Sequence, residues 1–126
     1  QYTAAGLAGE MRLLSHPAVV DNVPTCANQE DYVNMGYNAA RKACDAVKTA
    51  QYVLAIELIC AAQAKEFYPE GESSPAIEAV YAKIREVMPA LKEDAALEPY
   101  IEAVRNLILN GEILEAVRSA GVNVKL

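Results

Sequence analysis

Residues 2–14, YTAAGLAGEMRLL, are rich in helix formers and carry apolar side chains on every face. They predict the last turns of a helix, with Gly6 and Gly9 permitting close approach of a neighbour. Pro17 sets the stop near Ser15 or His16. From Pro17 to Asn28 no period is sustained, and two prolines with the DN and PT dipeptides mark an ordered, irregular loop. Helix is expected to resume at Gln29 or Glu30, with Asn28 as N-cap and Glu30 and Asp31 favoured by the helix dipole. Val33, Tyr37, Ala40, Cys44, Val47 and Leu54 then recur at spacings of three, four or seven, and no proline falls between residues 25 and 68. One helix from 30 to 67 would be about 57 Å long. Few small domains hold such a rod, so its partner helices are expected mostly outside this chain.

The second half is patterned differently. YPEGESSP, residues 68–75, is the clearest loop, and Ser74-Pro75 followed by Glu78 reads as an N-cap, a first-turn proline and a dipole-favoured acid. Ile77, Val80, Tyr81, Ile84, Val87 and Met88 form one apolar face up to Pro89. Amphipathic helices are expected over 95–109, ending at Asn-Gly, and over 112–119, ahead of Gly121, with the last residues frayed. No strand pattern competes and no internal repeat is present. The expected class is all-α, a long-helix bundle forming part of a larger helical fold. Its two regions are 1–67, with helix end, pocket loop and long central helix, and 68–126, an acidic helical region.

Composition narrows the function classes. A chain of 126 residues that is 53% hydrophobic is a folded domain in character. Its formal net charge of −6 argues against nucleic acid, which demands a basic face. The acid is uneven, six acids against five bases in residues 1–65 and eleven against six in 66–126, which makes the second half a solvated acidic surface. Cys26, Cys44 and Cys60 form no disulfide framework and point to a reducing, cytoplasmic setting. With a single histidine, His16, and no zinc spacing, no metal is expected. The longest apolar run, Val53–Ala62, contains Glu57 and is too short to span a bilayer. No signal peptide is visible, and a start at Gln1 rather than Met reads as a cut point.

Candidate chemistry concentrates in VVDNVPTCANQEDYVNMG, residues 19–36. Glu30 and Asp31 as first-turn acids are the plain reading. The sharper one is that an irregular loop aims amides and a carboxylate into a pocket, where Glu30 acts as general base or holds a substrate amine or ring nitrogen. Cys26 reads as a small buried apolar residue, as do Cys44 and Cys60. His16 in Ser-His-Pro reads as a helix-end cap, and Glu57 as a structural acid. Two classes stay open on these grounds: a pocket-forming piece of an enzyme, and a helical scaffold or interaction module.

The stretch from 1 to 43 resembles a segment of the aromatic amino acid ammonia-lyases, histidine ammonia-lyases above all. The matching pieces are QYTAA at 1–5, HPA followed by VD at 16–21, ANQED at 27–31 and MG…AAR from 35 to 41, with LAIELICAAQA at 54–64 continuing along the rod. The resemblance implies an all-helical homotetramer whose active sites combine several subunits. It implies ammonia elimination from an amino acid, histidine favoured and giving urocanate. The implied electrophile is a methylidene-imidazolone made from an Ala-Ser-Gly triplet. This sequence lacks that triplet, so the segment is expected to lie C-terminal to it, to be inactive alone and to partner the rest of the enzyme. By position, Glu30 falls on the family's pocket glutamate, Gln29 on the adjoining amide, and Cys26 on a residue near the substrate ring. Cys26 stands where the family commonly has Ser, Asn or Glu, and Tyr32 where histidine lyases carry histidine. Phenylalanine and tyrosine lyases and the 2,3-aminomutases stay open beside the histidine reading.

Overall fold

Pro17 ends the first helix where the sequence places its stop. In the computed structural model, which describes residues 1–20, 22–30, 32–68 and 73–124, α1 spans Tyr2–Leu14. Ser15 Oγ donates to the Arg12 carbonyl at 2.7 Å, and His16 Nδ1 lies 3.1 Å from the Leu13 carbonyl. Only a protonated Nδ1 can bond there, so His16 caps the helix end as its setting suggested. Four more helices follow among the described residues: α2 Gly36–Lys65, α3 Pro75–Val87, α4 Glu98–Leu109 and α5 Glu112–Ser119. No strand occurs among these residues; the one β-type pairing is an isolated bridge between Thr25 and Glu30. The chain is all-α. The dipole role expected of Asp31, the loop positions 69–72 and the last two residues, with Asp21 of the VD match, lie outside the described residues.

The long helix starts later than its sequence suggests. Gln29 and Glu30 do not open it, and Asn28 is not its cap. Asn28 has a left-handed backbone (φ 69°), whereas an N-cap is normally extended. The start is set by Asn34, whose Oδ1 accepts from Gly36 N–H at 2.7 Å. A Cβ at Gly36 would come within 2.9 Å of that oxygen, so the close approach suits glycine. At 30 residues α2 is about 45 Å long.

The described residues form two compact units, Gln1–Ala50 and Gln51–Leu126, with α2 contributing to each. In the second, Ala55, Ile59 and Ala62 from α2 pack with Ile84 and Met88 from the α3 segment and Val104 from α4. The helix α3 begins as its sequence predicts, with Pro75 in the first turn and Ser74 Oγ accepting from Ile77 N–H. Helix α5 lies against α3 and α4, and Gly111, at φ 75°, makes the left-handed turn between α4 and α5. Gln63 fastens the segment after α3: its Nε2 donates to the Leu91 carbonyl at 3.1 Å and its Oε1 accepts from Leu91 N–H at 2.9 Å. Arg85 is the main polar junction. It meets Glu66 at 2.8 Å and donates to the carbonyls of Ala62, Met88 and Pro89, satisfying orphan carbonyls near the ends of two helices.

In the unit Gln1–Ala50 no described residue is buried. Tyr37, Val47 and Leu54, from the apolar series of α2, are all exposed. Cys44 and Cys60, expected in a core, are exposed as well; burial depends on neighbours, and the described residues supply too few at those faces to bury them. Glu57 is likewise exposed. No helix of the described residues is long and apolar enough to cross a membrane.

Candidate functional site

The polar cluster is built on a tight reversal instead of a helix start. Thr25 is extended (φ −126°, ψ 167°), and Cys26, Ala27 and Asn28 then take φ values of 53°, 53° and 69°. Gln29 returns to right-handed geometry, and its N–H donates to the Cys26 carbonyl at 3.1 Å. Glu30 N–H donates to the Thr25 carbonyl at 3.3 Å, with the reciprocal bond at 3.5 Å. Three consecutive non-glycine residues in the left-handed region cost of order 1 kcal/mol each, least for asparagine. Such strain persists where surrounding contacts over-determine it, and functional loops are where it gathers.

A second tie encloses the first. Asn22 Oδ1 accepts from Val23 N–H at 3.0 Å and from Val33 N–H at 2.9 Å. Both partners are donors, which fixes the carbonyl oxygen of the amide as the atom between them. The loop is thus closed twice, at its neck by Asn22 and Val33 and nearer its tip by Thr25 and Glu30.

Cys26, Gln29 and Glu30 all belong to this reversal, and all three are exposed. The structure therefore brings the sequence-derived candidates into one short turn, and Cys26 is not the buried residue its type suggested. No group of three or more metal-ligating side chains occurs among the described residues. The clefts elsewhere include an apolar one of about 340 Å³ edged by Leu58, Val80, Ile84 and Val117, and one of about 310 Å³ between the end of α1 and Ala39, Lys42 and Ala46. Neither is lined by Cys26, Gln29 or Glu30. Those three residues are open to solvent. Sequence reasoning missed Asn22 and Asn34; the signal was present as an asparagine one or two positions before a backbone N–H that it accepts from.

The family model for aromatic amino acid lyases matches residues 1–86. This chain belongs to the aromatic amino acid lyase family. A histidine ammonia-lyase of Symbiobacterium thermophilum is 51% identical over 119 residues, which cover 94% of this chain and 24% of that enzyme. Among solved structures, a histidine ammonia-lyase of Trypanosoma cruzi superimposes with a TM-score of 0.89 at 34% identity, covering 94% of this chain and 24% of that one. A tyrosine aminomutase of Streptomyces globisporus gives 0.89 at 32% identity, covering 99% and 24%. The chain thus spans about a quarter of the length of the lyases it matches.

Proposed function

We propose that this chain works as the C-terminal portion of an aromatic amino acid ammonia-lyase, and that the turn carrying Glu30 forms one wall of its active site. The favoured substrate is histidine, eliminated to urocanate and ammonia. The observation that carries the reading is the doubly tied, strained turn that presents Glu30 outward, within a segment so similar to histidine ammonia-lyases. Partners are the rest of the same enzyme, assembled as a homotetramer in the cytoplasm.

Within that site the carboxylate of Glu30 offers two acceptor oxygens. It holds the substrate's ammonium or ring N–H, or takes a proton from carbon as general base. Gln29 adds an amide that can donate and accept beside it, and Cys26 offers a small polarisable surface toward the substrate ring. The methylidene-imidazolone supplies the electrophile that makes the amine a leaving group. It comes from the part of the enzyme outside this chain, since no Ala-Ser-Gly is present here. The residues in hand would suit a site that shares a substrate with that group, because they present hydrogen-bonding groups on an open face.

A second reading, amine migration by a 2,3-aminomutase, is favoured by the tyrosine aminomutase likeness. Assaying the complete enzyme with histidine, phenylalanine and tyrosine separates the two. Urocanate release from histidine supports the first reading, and a β-amino acid from tyrosine or phenylalanine supports the second. Turnover of none of the three contradicts both.

A further inference from the structure

The geometry points to Asn22 as the positioning residue for Glu30, a role that rests on Glu30 being the substrate contact. Asn22 lies eight positions before Glu30, yet its side chain holds both sides of the loop neck. One oxygen, with two lone pairs, accepts from Val23 N–H at 3.0 Å and Val33 N–H at 2.9 Å. Inside that neck the Thr25–Glu30 pairing is long, at 3.3 and 3.5 Å, so it is a weak tie by itself. Between Thr25 and Gln29 the backbone runs through three left-handed residues, two of them Cys26 and Ala27, which relax toward ordinary geometry once released. The outer clasp therefore keeps the inner turn wound, and the wound turn sets where the Glu30 carboxylate stands. Catalytic efficiency is sensitive to misplacement on the scale of 1 Å, worth about a hundredfold in rate.

The test uses the complete enzyme and four variants: Asn22→Leu, Asn22→Asp, Glu30→Gln and the double variant Asn22→Leu/Glu30→Gln. Leucine removes the acceptor at similar size, and aspartate keeps it. Asn22→Leu is expected to lower kcat at least about tenfold with a smaller change in KM, while Asn22→Asp stays within about threefold of wild type. Once Glu30 is already glutamine, adding Asn22→Leu is expected to cost less than about threefold, because the carboxylate it positions is gone. Equal losses from Asn22→Leu in both backgrounds would overturn the positioning role and leave only general support of the loop. Wild-type kcat in Asn22→Leu beside an impaired Glu30→Gln would also overturn it. If Asn22→Leu fails to accumulate, Asn22→Asp decides: a tenfold loss at an unchanged melting temperature contradicts the role. Wild-type kinetics in Glu30→Gln would instead remove the reading of Glu30 itself, a separate and distinguishable result.

Discussion

Thr25 and Glu30 are paired backbone to backbone across a turn of three left-handed residues. The pairing fixes a geometry that alanine and cysteine do not adopt unaided. At Ala27 (φ 53°, ψ 42°) glycine relieves the strain, and this offsets the entropy it adds to the unfolded chain. Ala27→Gly should therefore leave stability within about 0.5 kcal/mol of wild type, while Ala40→Gly in the interior of α2 costs about 1 kcal/mol from helix propensity alone. Denaturant midpoints of the assembled enzyme carrying each variant check the contrast.

Arg85 organises the second unit through Glu66 and three backbone carbonyls. Arg85→Ala leaves those acceptors without their shared donor, and should destabilise the chain by about 2 kcal/mol. Arg85→Lys should recover only part of this, because an ammonium cannot reproduce the planar fork. Thermal unfolding of the two variants side by side gives the ranking.

Acid should weaken the same unit. The Tyr81 hydroxyl and then the Arg85 guanidinium, both bonded to Glu66, hold its carboxyl below the usual 4.5. Lys65 does the same for Glu78, and Lys83 and then Asn110 for Glu112. A depressed folded-state value means the stabilisation is present above the ordinary carboxylate range and disappears as pH falls through the lower folded value. Unfolding midpoints should thus drop between about pH 5 and pH 3, and Glu66→Gln should flatten that part of the profile. A midpoint independent of pH in this window would remove these pairs from the stability account.

Tyr37, Val47 and Leu54 expose an apolar series on α2 among the described residues. The chain by itself should self-associate or bind a hydrophobic dye strongly. Sedimentation of a dilute sample checks this, and a monodisperse monomer with a sharp cooperative transition would count against it.

The sequence shows some of this architecture and hides the rest for definite reasons. Ser74, Pro75 and Glu78 announce α3, and Pro17 announces the end of α1, because capping and proline chemistry are local. Gln29 and Glu30 mislead, since an acidic cluster after a proline loop looks the same before a helix as in a turn. The decisive features are the left-handed run at Cys26–Asn28 and the reach of Asn22 to Val33, a pairing across eleven positions that no local pattern announces. The exposure of Cys44 and Cys60 escapes sequence reasoning for another reason. An apolar helix face says that something covers it, but not that the cover lies on the same chain.

Steady-state kinetics of Glu30→Ala in the complete enzyme are the decisive test of the active-site wall proposed at Glu30. kcat/KM should fall at least about tenfold, equivalent to about 1.4 kcal/mol of transition-state stabilisation, with an unchanged melting temperature. Near-wild-type kinetics on histidine, phenylalanine and tyrosine alike would contradict it.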